Sequence, residues 1–493
     1  MERQTINRVV IAGGGTAGWV TAASLSHNLG PALDITLVES EAIGTIGVGE
    51  ATIPTHTSFH AMLGINEAEF MRATHATFKL GIQFEGWKDK GESYIHSFGQ
   101  VGKHTWMAPF HHLWLHARDL GIEGDFEDYC LELKAAKADK FFTSDKQKPL
   151  NYAYHLDAVA YAKYLRGFSE KKGVKRVEGK IQNVLQYAES GNIKAVELEN
   201  GALIEGDLFI DCTGFNGLLI EKTLKTGYDD WRHWLPMDSA YAVQTQKTGP
   251  AIPYTRAIAH ENGWRWRIPL QHRVGNGFVF TSEKLSNDDA REQFENALEG
   301  EALTEPRLIR FITGRRKKVW NKNCVALGLS SGFLEPLEST SIHLFQRGVT
   351  ELVKHFPYHG ITPALADLYN DKISKEVEQI RDFLILHYKV TQRDDSEFWR
   401  ERQAMDIPDT LAARLSLFEE NAHAYNGCDE LFLLDSWIQV MFGQGIEPKG
   451  YHAIGQLFPK DRLENALKSQ REKVASTLAQ LPSHQEFIDQ YCS

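Results

Sequence analysis

Cysteine is scarce in this chain. Five residues in 493 (Cys130, Cys212, Cys324, Cys428 and Cys492) are scattered, odd in number and free of any Cys-x-x-Cys pair. That pattern suggests neither a disulfide framework nor a zinc site, so no metal is expected and a reducing compartment suits it. Long apolar runs are missing as well: none approaches the roughly 18–20 residues that cross a bilayer. No charged-then-apolar leader precedes the first strand, and a cytoplasmic protein without membrane attachment is expected. Positive charge is the third shortage. The formal net charge is −11, spread along the chain, which argues against the basic face that a nucleic-acid partner requires.

What is present is globular core material, with 42% hydrophobic residues and eleven tryptophans that hint at aromatic-lined cavities. The length leaves room for two or three domains or one large elaborated fold.

The chain opens with a motif. Arg8-Val-Val-Ile-Ala12 reads as a buried parallel strand. It runs into Gly13-Gly14-Gly15-Thr16-Ala17-Gly18, a Gly-x-Gly-x-x-Gly turn, and then a helical stretch over residues 19–29. A second strand, residues 34–38, ends at Glu39, 21 residues after Gly18. The first glycine allows the tight turn, the second admits a pyrophosphate close to backbone, and the third lets helix pack on strand. The acid ending strand two is placed for ribose hydroxyls.

Two later strands return to the same pattern. Residues 206–211 end in Asp211-Cys-Thr-Gly214 after a hairpin-like stretch over 174–199, and residues 324–328 lead into Leu329-Ser-Ser-Gly332. Such widely spaced returns favour FAD over NAD. They predict an α/β, glutathione-reductase-like FAD-binding fold with long insertions, followed by a helix-rich C-terminal substrate-binding layer in which residues 373–390 have helical periodicity. The expected division is 1–110 for an FAD-binding segment with Lys79, 111–350 for the rest of the FAD fold and a substrate-side sheet, and 351–493 for the helical region.

Four features in order carry a resemblance: the opening turn, Lys79 in Phe78-Lys-Leu-Gly-Ile82, Gly263-Trp-Arg-Trp-Arg-Ile-Pro269, and Glu335-Pro-Leu-Glu-Ser-Thr-Ser-Ile342. Together they resemble the flavin-dependent tryptophan halogenase family from Val9 to about Gly450. Taken alone, each has a plainer reading. A lysine is usually a solvated charge, a glutamate after proline a surface or helix-start residue, and two alternating tryptophans one face of a strand. Lys79, however, sits in an apolar run where its ammonium must be buried or face a cavity, and burial favours the neutral, chemically usable amine.

The resemblance implies roles by position. Lys79 receives hypohalous acid and presents the halogen to an aromatic carbon, with Glu338 as the second catalytic group and Ser339 after it connecting the flavin strap to the substrate chamber. The backbone N–H groups of Thr340 and Ser341 correspond to the halide site, where the family usually has glycine in place of Ser341. FAD is implied to contact Gly13, Gly15, Thr16, Ala17, Gly18, Glu39, Ile181, Asp211, Leu329 and Ile342. It is also implied to contact Gly49, Glu50 and Ala51 in the glycine-rich strap over residues 44–54. Ile53, Pro54, His96, Phe98 and Trp437 are implied at the substrate, and Trp264 and Trp266 partition it from flavin. His111 and His112 lack a third ligand and read as structural.

The reaction implied takes FADH2, supplied by a separate NAD(P)H-dependent flavin reductase, with O2 and chloride or bromide. It acts on a small, electron-rich aromatic ring, and a homodimer is compatible. Near residues 431–440 the tyrosine pair that grips an amino-acid head in tryptophan-specific members has no match, so an indole is expected ahead of free tryptophan. An aromatic flavin monooxygenase on the same fold is the alternative, decided by product mass with and without halide. A flavin-binding protein without catalysis is disfavoured because both catalytic positions match.

Overall fold

The computed structural model describes residues 5–44, 49–144, 146–147 and 149–493; residues 45–48 of the expected strap lie outside them. The fold is mixed α/β. Two compact units emerge, each gathered from three stretches of chain. Unit one is Met1–Ala76, Leu156–Ala242 and Arg307–Glu378; unit two is Thr77–His155, Val243–Pro306 and Gln379–Ser493.

Unit one is built on β1 (Arg8–Ala12), α1 (Thr16–Leu29), β2 (Asp34–Glu39), β3 (Lys175–Glu178), β4 (Leu208–Asp211) and β5 (Cys324–Ala326). These strands run parallel in the order β5-β4-β1-β2-β3, with the short strand Trp320–Asn321 antiparallel at the β5 edge. β1 is central: Val9 registers with Ile35 on one side and Leu208 on the other. A strand in that place is covered on both faces, which is why Val9, Val10, Ile11 and Ala12 form an unbroken apolar run rather than an alternating one. Both expected strand returns join the sheet of β1: 208–211 stands directly beside it and 324–326 beside 208–211.

The stretch 174–199 differs from its expected hairpin. Lys175–Glu178 is instead β3, parallel to β2 at the sheet edge. The antiparallel pair is Ile181–Gln186 with Ile193–Leu198, joined by a third strand, Leu203–Glu205. Its apolar positions Ile193, Val196 and Leu198 pack on Val10, Phe209 and Cys324. That burial, worth about 1.5–3 kcal/mol per large side chain, outweighs any preference for 174–199 to stay one local hairpin. Three further helices complete the frame used below: α2 (Thr55–Leu63), α3 (Ser341–Lys354) and α4 (Pro363–Lys389), the last containing the periodic stretch read from sequence.

Unit two centres on five strands in the order Val274–Phe280, Gly263–Pro269, Thr255–His260, Gly81–Glu85, Ser93–Ser97. Gly81–Glu85 pairs in parallel with Thr255–His260, and the other neighbours are antiparallel. Ahead of this sheet the short strand Thr77–Lys79 pairs with Ala153–Asp157, Lys79 standing opposite Ala153. Long C-terminal helices follow, including Leu434–Gly443 and Lys460–Gln480. Among the described residues no helix is long and apolar enough to cross a membrane, and all five cysteines are free thiols.

Candidate active site

In unit one the nucleotide turn is shaped by what its glycines exclude. Gly13 has φ +110°, and a Cβ there would lie 2.2 Å from the Cys212 carbonyl oxygen, so the turn and β4 approach only because the side chain is absent. A Cβ on Gly18 would meet the Gly13 carbonyl at 1.9 Å, and one on Gly14 would overlap the Glu39 carboxylate. Gly15 differs: its missing Cβ faces open space, with nothing within 4 Å. It is also the N-cap of α1, and no side chain caps that helix. Uncapped N–H groups beside open space fit a diphosphate, so the residues present fit the flavin nucleotide. Glu39, ending β2, is held by Arg176 and accepts from the Trp19 indole N–H at 3.2 Å.

Asp211 is bound up in the fold. Its carboxylate accepts from the backbone N–H groups of Leu219 and Ile220, both at 2.8 Å, and from the N–H and hydroxyl of Thr213. It is fully buried, so its direct work is to fix the loop over residues 213–220. Leu329 lies in the short helix Gly328–Ser330, half-buried, and Ile342 is buried in the first turn of α3. Ile181 opens the antiparallel pair and packs against the core behind the sheet. Within the strap, Gly49, Glu50 and Ala51 form a short strand, and burial pushes the Glu50 carboxyl up to about 7. Ile53 is buried, and Pro54 leads directly into α2.

Residues 335–341 form a tight corner. Glu338 is 1% exposed and closes a short 3-10 turn that begins at Pro336. Ser339 follows at φ +59°, ψ +34°, a left-handed conformation uncommon outside glycine and costly by about 1 kcal/mol or more. This kink reverses the chain so that Thr340 becomes the N-cap of α3 and Ser341 its first residue. No side chain of the N-cap residue caps that helix start, and the helix dipole favours an anion at that end. Ser341 is the first residue in ordinary helical geometry, a conformation that serine adopts without strain.

In unit two Lys79 has no solvent exposure at all. It closes a strand whose other members are equally buried, and Thr77 fastens that strand by donating its hydroxyl to the Pro269 carbonyl at 2.7 Å. Beneath it, Phe78 stacks on Phe141 at 4.0 Å with Tyr152 and Phe487 around the pair. The Lys79 ammonium lies 5.3 Å from the centroid of the Phe98 ring, within cation–π range. Burial, with the charge of Lys79 and then His484 adding to it, holds the His155 imidazole well below its usual range.

The strand Gly263–Pro269 has two unlike faces. Trp264 and Trp266 share one, with ring centroids 6.1 Å apart, and Trp266 lies flat over Gly277 of the next strand. Arg265 and Arg267 occupy the other, gathered with Arg256 around Glu299.

His96 and Trp437 meet the same pair of rings. Phe383 stacks on Phe432 at 3.9 Å; His96 lies 5.5 Å from Phe383 and 6.1 Å from Phe432, and Trp437 sits edge-on to Phe383 at 4.9 Å. Gln439 locks this arrangement. Its amide oxygen accepts from the Ser97 N–H and hydroxyl, and its amide N–H groups reach the Ser97 and Gly99 carbonyls. Phe383, Phe432 and Gln439 escaped the sequence reading; the periodicity around residue 383 marks a buried helix face but not which rings it meets. Arg414 covers Trp437 at 4.1 Å while pairing with Glu430 at 2.6 Å. His111 donates from Nε2 to the Ala422 carbonyl and His112 accepts at Nδ1 from the His452 N–H, which suits structural roles. Among the described residues no cluster of three metal-ligating side chains occurs.

The nucleotide turn open to a diphosphate and the buried lysine set against an aromatic ring occur in one chain. The tryptophan halogenase family model matches residues 8–460. A relative from Kutzneria sp. (strain 744), the 7-chloro-L-tryptophan 6-halogenase KtzR, is 35% identical across 97% of this chain and 98% of its own. Of solved structures, Xcc4156, a flavin-dependent halogenase from Xanthomonas campestris, is 53% identical with a TM-score of 0.97 over 99% of each chain. BrvH, a flavin-dependent halogenase from Brevundimonas sp. BAL3, is 41% identical with a TM-score of 0.94, again over 99% of each. The chain belongs to the tryptophan halogenase family and is an enzyme of its flavin-dependent halogenase class.

Proposed function

We propose that this enzyme uses FADH2, O2 and halide to halogenate an electron-rich aromatic ring, with indole preferred to free tryptophan. The observation that carries the reading is Lys79, an amine withdrawn wholly from water and set against Phe98. When bound, the reduced flavin supplies with O2 the two-electron oxidation of halide to hypohalous acid. The chain's own residues do the rest. The N–H groups of Thr340 and Ser341 hold the halide, and Trp264 and Trp266 keep the organic substrate off the flavin. Lys79 holds the hypohalous acid by hydrogen bond or as a haloamine. A carbon–halogen bond then forms at the ring as the halogen–oxygen bond (halogen–nitrogen in the haloamine) breaks; the oxygen leaves as water with its second proton from the Lys79 ammonium, and the Glu338 carboxylate takes the proton from the same carbon. A separate NAD(P)H-dependent reductase supplies FADH2, consistent with a single dinucleotide motif, and the cytoplasm is its expected setting.

The aromatic set of His96, Phe98 and Trp437 suits a flat ring, which gains about 0.5–1.5 kcal/mol per ring pair beyond burial. The cation beside Trp437, Arg414, is already neutralised by Glu430. A zwitterionic head brought there would therefore bear a desolvation cost that bare indole avoids. Equimolar indole and tryptophan, offered in turn with bromide and chloride and followed by mass spectrometry, should give mainly haloindole, with bromide at least as effective as chloride. Predominant halotryptophan would refute the substrate assignment.

A further inference from the structure

The rear face of the strand Gly263–Pro269 holds more positive charge than its neighbours answer. Arg265 and Arg267 lie there, and Arg256 of the adjoining strand stands directly opposite Arg267. Like charges so placed repel each other, yet Arg265 and Arg267 are both at least nine-tenths buried.

Two carboxylates face the three guanidiniums, and both serve Arg256 first. Glu85 takes Arg256 through both its oxygens, and Glu299 accepts from Arg256 Nη1 at 2.8 Å. Glu299 comes no nearer than 3.7 Å to Arg265 Nη2, beyond hydrogen-bond reach. It lies 3.3 Å from Arg267 Nε without the alignment of a hydrogen bond. Arg267 keeps one bond, from Nη2 to the Thr248 hydroxyl at 3.1 Å. Arg265 Nε and Nη1 have no acceptor among the described residues. A buried guanidinium left in that condition is costly, and an ion cluster that served stability alone would give each arginine its own acceptor.

Glu299 is the loosely held member. Its side chain is 38% exposed, while the backbone around it is pinned. The Thr245 hydroxyl donates to the Glu299 carbonyl at 3.3 Å, and the Gln246 N–H to the Glu301 carbonyl at 2.9 Å. Rotation of that one side chain therefore lifts its carboxylate into solvent and leaves the loop in place. Three arginines then face Glu85 alone, an excess of two positive charges. A dianion balances that excess, whereas a halide or a single carboxylate does not. Phosphate oxygens also match the guanidinium fork of Nε and Nη2.

We propose that Arg256, Arg265 and Arg267 form a phosphate site on the rear of this sheet, which Glu299 caps when the site is empty and vacates for a phosphate dianion. The ligand is inorganic phosphate or the phosphate of a monoester. The site lies on the opposite face of the strand from Trp264 and Trp266, and it stands whether or not the halogenation reading does.

The test uses the FAD-loaded protein, so that the nucleotide turn is filled. Sodium chloride fixes the ionic strength, and a pH of about 8 keeps phosphate largely dianionic. Calorimetric titration with inorganic phosphate should show one saturable site. Arg265→Gln, which gives up no hydrogen bond within the fold, should weaken binding about tenfold, the scale of one lost charge-assisted bond. Glu299→Gln removes the competing carboxylate and should tighten binding by a similar factor, with phosphate raising its melting temperature more than that of the wild type. No saturable binding in either the wild type or Glu299→Gln would leave a purely structural ion cluster and overturn the proposal. Binding indifferent to both substitutions would mean an adventitious ion only, and uptake confined to the FAD-free protein would place the phosphate in the nucleotide turn; either result refutes the site. If Arg265→Gln folds poorly, the Glu299→Gln comparison decides alone. Glycerol 2-phosphate separates the two sources: its displacement of bound phosphate assigns a monoester, and its failure to compete assigns free phosphate.

Discussion

Unit one and unit two make their functional surfaces from different materials. In unit one the proposed working groups are mostly backbone: the N–H groups after Gly15 that no side chain caps, the left-handed kink at Ser339, and the N–H groups of Thr340 and Ser341 at a helix start. In unit two the proposed groups are side chains, each held by burial: Lys79 on its strand, Trp264 and Trp266 across Gly277, and His96 and Trp437 against Phe383 and Phe432. Backbone sites bind anions of many shapes and tolerate changes of side chain wherever the conformation survives. Side-chain sites depend on one atom at one place.

The sharpest way to break that contrast is at Lys79. Lys79→Ala should abolish halogenation while FAD binding, measured by fluorescence quenching, stays at the wild-type level. Substantial product would remove its assigned role. Glu338→Gln should lower kcat by about 10²-fold, the scale of a lost acid–base group, and an unchanged single-turnover rate would take Glu338 out of the chemistry.

The nucleotide turn gives a milder, two-sided test. Gly15→Ala adds a methyl to open space, so the apoprotein should keep its melting temperature while FAD binds about tenfold more weakly. Gly13→Ala should behave oppositely, unfolding the protein with a loss of about 3 kcal/mol because its Cβ meets the Cys212 carbonyl. Equal melting temperatures for the two variants would contradict the geometry of the turn. The smallest effect is at Ser339. Replacing it by glycine or alanine removes the same hydroxyl, but only glycine accepts φ +59° without strain. The glycine variant should therefore be the more stable of the two by about 1 kcal/mol in denaturant unfolding, and the reverse order would show the kink to be unstrained.

The same contrast explains what could be read from the chain. The parallel strands and the glycine turn were legible because burial on two faces and positive φ leave residue types that nothing else demands. Residues 175–178 were misplaced because a short, half-buried strand joins its sheet through β2, and nothing within 174–199 shows that partner. The kink at Ser339 carries no glycine to announce it. Lys79, Glu338 and the tryptophan pair were picked out by likeness to a family, since their surroundings come from segments hundreds of residues away. For the ring pair of Phe383 and Phe432, periodicity gave burial but not company. Gln439 is the clearest omission, because a glutamine on a helix gives no sign of being spoken for by a distant strand.

The interleaving of the two units bears on how the protein is made. β1 and β2 emerge from the ribosome first, but their sheet lacks β4 until residue 211 and β5 until residue 326, and unit two is finished only by the last helix. A nascent chain of some 300 residues therefore carries two unfinished bodies at once, with bare strand edges in the first. Pairings this remote along the chain are slow to form and exposed to aggregation meanwhile. Good yields of this enzyme should depend on slow synthesis and on chaperones that bind unfinished sheets, more than on the stability of the completed fold.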